Sequence, residues 1–192
     1  MFSLARLTEV ANIAEQRRRE RNKALTRQLE VCDLLDLRKV QAVAEHAPRI
    51  TTFLLSEEQR FLLPEDFLGS QMLEVTEKMR AYLIDWLAEL HFKFKMWQET
   101  LHVCVGIIDS FLAITPELKK SELQCLGITA LHIAGKYEEI YPPELKNLLR
   151  VTDNAVSKAE IIKMENRILL KLQFSITFPS SYRFLERFCR LA

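Results

Sequence analysis

Met79 to Phe94, MRAYLIDWLAELHFKF, is the stretch that most restricts what this chain can become. Met79, Leu83, Trp86, Leu87, Leu90 and Phe94 recur at three- and four-residue steps. That is the period of one broad helical face rather than of a strand. Arg80 and Asp85 flank the stripe, and an unpaired charge so close to a buried seam is very costly. The nearest anion by pattern is Asp109, a lone carboxylate in the otherwise apolar segment GIIDSFL. An Arg80–Asp109 bridge between two helices is therefore expected.

Further helices follow in order. One is predicted from near Gln98 to before Pro116, burying Leu101, Val105, Ile108 and Leu112. Another starts near Ser121. Its small residues Gly127, Thr129, Ala130, Ala134 and Gly135 suit a central helix, because they let neighbouring backbones come close. Pro142 and Pro143 stop it and open a short helix from about Pro143 to Leu149. Ser157 and Glu160 form a capping box ahead of a fifth helix with the stripe Ile161, Met164, Ile168 and Leu172. Only four glycines occur in 192 residues, which favours an all-α chain.

The region before Pro48 is rich in helix formers, with apolar residues at Leu25, Leu29, Cys32, Leu35, Val40 and Val43, and reads as one or two helices ending there. ITTFLL at Ile50 to Leu55 reads as a connector. Ser56 with Gln59 is a possible capping box opening a short helix that ends before Pro64, and Gly69 is a natural break. The expected divisions are residues 1–60 as an N-terminal helical extension, 61–178 as the main domain and 179–192 as a tail or the start of a second domain.

Net charge is +1, so nothing global argues for nucleic acid or an anionic membrane. No apolar run approaches the roughly 20 residues needed to cross a bilayer. The N-terminus carries Leu4, Leu7 and Ala11 on one side but includes Glu9 and Glu15, unlike a secretory or transit signal. Arg17, Arg18, Arg19, Arg21 and Lys23 fit either a nuclear import signal or a solvated face paired with Glu15 and Glu20. Cys32, Cys104, Cys125 and Cys189 stand singly, as small buried thiols of a reducing compartment would.

No catalytic arrangement emerges. His91 and His102 are read as helix residues without Cys, Asp or Glu at ligand spacing and His132 as beside core positions, so each reads as a surface or satisfied core residue. Phosphate-binding glycine loops are absent, and adjacent Glu138 and Glu139 point to different helix faces. The chain reads as a non-enzyme needing no cofactor and no metal. Two polar residues are out of place: Lys136, closing a helix of small apolar residues, and Glu165, set between Met164 and Ile168. As a pair at the junction of two helix ends they would suit bonding to another protein's exposed backbone. A purely intramolecular bridge is the other reading.

MRAYLIDWL, QETLHVCVGIIDSFL, AGKYEEIYPPEL and MENRILLKLQFSITFP, in this order and spacing, resemble four blocks of the cyclins, and most closely those of the A- and B-type mitotic cyclins. The resemblance runs from about Met79 to Pro179. It implies an all-α, five-helix cyclin box, with SSYRFLERFCRLA after Pro179 similar to the start of a second box. It also implies a regulatory subunit that binds a cyclin-dependent protein kinase around its C-helix and activates it in cell-cycle control. Lys136 and Glu165 would be the polar anchors, with Tyr137, Glu138, Glu139, Leu169 and Ile176 around them. A second inherited site is a groove of Met79, Tyr82, Trp86, Glu89, Leu123 and Gln124 for substrates bearing arginine–x–leucine motifs, the glutamate meeting the arginine. Tyr82 departs from the family's small aliphatic residue there. Nucleus and cytoplasm are the expected locations. The rival expectation is a scaffold or adaptor that keeps the fold without activating a kinase. It is favoured by the short second box and by the lack, in residues 50–70, of the helix that mitotic cyclins lay on the kinase. No arginine–x–x–leucine element precedes residue 60 and no KEN triplet occurs.

Overall fold

A computed structural model describes Gln16 and residues 30–64, 67–68, 74–153 and 155–192. The basic cluster Arg17–Lys23, the stripe Leu4, Leu7 and Ala11, the apolar Leu25 and Leu29, and the break at Gly69 lie outside them. The described residues form helices, 3₁₀ turns and loops, with no strand among them. They fall into two compact units, one of residues 57–186 and one of the described residues up to Ser56 with Arg187–Ala192.

In the larger unit, helix α3 (Glu77–Lys93) starts at Thr76, whose hydroxyl accepts the Met79 N–H at 3.3 Å. Helices α4 (Gln98–Ala113), α5 (Leu123–Glu138), α6 (Leu145–Val151) and α7 (Lys158–Lys171) follow. α5 touches α3, α4, α6 and α7, so it is the central helix. Its small residues make this possible. A Cβ on Gly127 would lie 2.6 Å from Leu83 Cδ1, and one on Gly106 of α4 would lie 2.1 Å from the Phe178 ring. Leu87, Ile107, Ile108, Phe111, Leu126, Leu131, Ile161 and Ile168 are fully enclosed between these helices. The Ser157–Glu160 capping box opens α7, with Glu160 returning to the Ser157 N–H at 2.7 Å.

In the smaller unit lie α1 (Val31–Asp36) and, up to Ser56, α2 (Ala47–Glu58), joined through two 3₁₀ turns. Here several readings of the sequence are corrected. Ile50–Leu55 is no connector but the middle of α2, and Ser56 opens no helix. Pro48 falls in the first turn of α2, where its missing N–H costs nothing, so the proline starts the helix instead of ending the previous one. The Ser56 hydroxyl donates to the Phe53 carbonyl within that helix. Leu35 and Val43 are exposed rather than clustered. Helix α8 (Ser181–Leu191) belongs to the larger unit up to Glu186 and to the smaller beyond it. Within the smaller unit Arg187 grips buried Asp33 with two bonds of 2.5 and 2.8 Å, which holds the Asp33 carboxyl below its ordinary range.

Of the cysteines only Cys104 is buried, Cys32 and Cys125 are half-buried and Cys189 is exposed, which corrects the expectation of uniformly buried thiols. All four are free. No described helix is long and apolar enough to cross a membrane.

Candidate docking surfaces

Lys136 lies in the last turn of α5 and Glu165 in the middle of α7, two helices packed directly together. Their side chains form an ion pair through Lys136 Nζ and Glu165 Oε1. The pair is not enclosed: the lysine side chain is 43% exposed and the glutamate 16%. An ammonium has three donors and a carboxylate about four acceptor positions, so one mutual bond leaves capacity at the surface.

The surroundings are apolar or polar at their tips. Tyr137 is exposed, and its hydroxyl sits 2.7 Å from Thr177 Oγ1. Leu169 and Ile176 are half-buried against the core. A Schellman turn ends α7, with the Phe174 N–H bonding the Leu169 carbonyl at 2.9 Å and Gln173 in the left-handed region at φ 51°. It returns the chain so that Thr177 meets Tyr137. His132, one turn before Lys136, has a buried Nδ1 without a hydrogen-bond partner among the described residues, so it is not the satisfied histidine expected. Burial, and then the Lys136 charge, hold this imidazole below its ordinary pKa, while Glu165 opposes them.

Glu138 and Glu139 are committed to their own chain. Glu139 Oε1 accepts the Trp97 N–H at 2.6 Å and the Thr100 hydroxyl at 2.5 Å, satisfying donors at the start of α4. Glu138 faces Arg183 at 4.0 Å, and burial followed by the charge of Glu99 raises its pKa. These braces escaped the sequence reading. Trp97 gives α4 no side-chain cap, which was the signal that another residue must supply one.

The second group spans α3 and the start of α5. Met79 and Trp86 are half-buried against the core and Leu123 is buried, making an apolar floor. Glu89 and Gln124 are exposed beside it, and Tyr82 is 75% exposed. Behind this face Arg80 Nε and Nη2 donate to Asp109 Oδ1 and Oδ2 at 2.5 and 2.6 Å, tying α3 to α4. His91 bonds the Trp97 carbonyl, His102 stacks on Tyr182, and among the described residues no group of three metal-ligating side chains converges.

The family described as "Cyclin, N-terminal domain" matches residues 49–177, about two-thirds of the chain. The chain belongs to the cyclin family. It is 42% identical over 164 residues to Cyclin-B1-5 of Oryza sativa subsp. japonica, covering 85% of this chain and 36% of that protein. To the G2/mitotic-specific cyclin-B of Marthasterias glacialis it is 40% identical over 159 residues, 83% of this chain and 40% of the relative. The chain thus spans well under half the length of these relatives. A viral cyclin from herpesvirus saimiri superposes with a TM-score of 0.66 at 23% identity, over 73% of this chain and 61% of that one, which establishes a shared fold. The cyclin match begins at residue 49, inside α2, and so reaches further towards the N-terminus than the blocks from Met79 on.

Proposed function

We propose that this cyclin is a regulatory subunit, without catalytic centre or cofactor of its own, that binds and activates a cyclin-dependent protein kinase in cell-cycle control. The observation that carries the reading is the Lys136–Glu165 pair, held at an accessible junction of α5 and α7 with spare donors and acceptors. The ammonium would bond carbonyls, and the carboxylate N–H groups, around the kinase's mobile C-helix. Tyr137, Leu169 and Ile176 supply apolar contact around them. An aromatic next to charges that become desolvated on binding has the makeup of an interface centre.

Holding that helix inward completes the kinase's Lys–Glu pair and orders its activation segment, both required for phosphoryl transfer. Because the face fits one kinase conformation better than the other, differential binding shifts the equilibrium. The floor of Met79, Trp86 and Leu123 with Glu89 and Gln124 at its edge would hold substrates carrying arginine–x–leucine motifs, the acid meeting the arginine. Residues 61–178 act as the box in this account, residues 1–60 as its extension and 179–192 as the start of a second box, in the nucleus or cytoplasm.

Reconstitution with candidate kinases tests the proposal. Lys136→Ala and Glu165→Ala should each lower kinase affinity and histone phosphorylation. Unchanged values for both variants refute the activator role, and capture of a kinase without stimulation supports an adaptor instead.

A further inference from the structure

The larger unit ends in an apolar surface that neither the Lys136–Glu165 pair nor the Trp86 face uses. Phe92, Trp97, Ile140 and Tyr141 are between 59% and 91% exposed. Phe92 stands in the last turn of α3, and the other three come from the loops that follow α3 and α5, which lie side by side. Glu139 bonds the Trp97 N–H and Thr100, and a Cβ on Gly135 would lie 3.1 Å from Met96 Cε and 3.6 Å from Pro143 Cδ. A Schellman turn fixes the first loop: the Met96 N–H bonds the His91 carbonyl at 3.1 Å, and Lys95 takes φ 53°. His91 Nε2 lies 2.8 Å from the Trp97 carbonyl and steadies the same turn. These large side chains are therefore presented by a braced backbone, and grouped exposed apolar residues of this kind mark contact surfaces.

Within residues 91–98 and 138–146 the charges left without a partner among the described residues are cationic, while Glu89, one turn before Lys93, is an exposed acid at the edge. Glu138 and Glu139 turn inward to Arg183, Trp97 and Thr100. Glu144 is neutralised by Lys146 at 2.5 Å. Lys93 and Lys95, both exposed and flanking Phe92 and Trp97, make no ion pair among the described residues. We propose that this surface docks a short acidic segment of a partner protein, in which aspartate or glutamate alternates with large apolar residues. The apolar side chains cover Phe92, Trp97, Ile140 and Tyr141, and the carboxylates meet Lys93 and Lys95. Two free lysines are too few to track a phosphate backbone, which takes several neutralised phosphates for strong binding. The proposal does not depend on kinase binding, since Lys136 and Glu165 take no part.

Fluorescence anisotropy of a labelled dodecapeptide, alternating Glu or Asp with Leu or Phe, tests this on the full chain. Saturable binding is expected, weaker as salt rises and at least about tenfold weaker for K93E/K95E. W97A should weaken it similarly, because truncating a central aromatic removes a large share of interface energy. These side chains are exposed and the Trp97 backbone bond survives, so circular dichroism should show all variants folded. K158E/K163E, on α7, should bind like the parent chain. No saturable binding overturns the proposal. So does equal affinity for the peptide with every acid changed to its amide, or tighter binding of oligouridylate or phosphatidylserine vesicles lost in the same K93E/K95E variant.

Discussion

Breaking the Arg80–Asp109 bridge should destabilise the larger unit by an amount set by its half-buried position. The side chains are 28% and 15% exposed and share two short charge-assisted bonds of 2.5 and 2.6 Å. A fully exposed pair is worth about 0.2–1 kcal/mol, whereas removing one partner of a buried pair costs about 3–5 kcal/mol. Asp109→Asn, which keeps the shape, is expected to cost about 2 kcal/mol. Arg80→Met should cost about as much, because Asp109 is then left without its cation in a cleft of apolar helices. Replacing both, R80M/D109N, leaves no stranded charge, so its cost should fall short of the summed singles by about 1.5 kcal/mol. Urea unfolding followed by circular dichroism reads all four proteins. A coupling below about 0.5 kcal/mol would show that the bridge is a surface contact and that α3 is held to α4 by apolar packing alone.

Two further outcomes follow from the packing. Gly106→Ala places a Cβ 2.1 Å from the Phe178 ring. Overpacking of about 1–3 kcal/mol should outweigh the roughly 1 kcal/mol gain in helix propensity, so the urea midpoint falls; a midpoint at or above that of the parent refutes the close approach. His132, kept below its ordinary pKa by burial and by Lys136 against the pull of Glu165, is harder to protonate when folded than unfolded. The unfolded chain therefore takes up the proton first, and stability falls as pH drops below about 6.5, through the window down to the depressed value. His132→Leu should flatten that acid-side slope, and equal slopes between pH 7.5 and 5.5 would contradict it.

Much of the larger unit was legible because its signals are local and periodic. The stripe from Met79, the small residues of α5 and the Ser157–Glu160 box each specify one element. The Arg80–Asp109 pairing followed from the cost of a lone charge in an apolar seam. The smaller unit misled where one residue supports opposite readings. Pro48 both ends and begins helices, and the β-rich ITTFLL takes its conformation from the helix around it. Lys95 and Gln173 occupy left-handed positions where glycine is the usual sign, so two helix ends carried no composition cue. The geometry of the candidate site was half legible. Lys136 and Glu165 stood out as misplaced charges, but only coordinates reveal that Glu139 closes the start of α4 and that Tyr137 leans on Thr177.

Phosphorylation by a reconstituted kinase complex carrying the exchanged pair K136E/E165K tests the central claim most directly. The exchange rebuilds the ion pair with its direction reversed, so the chain should unfold at nearly the parent midpoint while, on the proposed activator role, stimulating a kinase at least about tenfold less. Full stimulation by the exchanged chain would mean that the two charges serve only each other, and that the contact proposed for them is wrong.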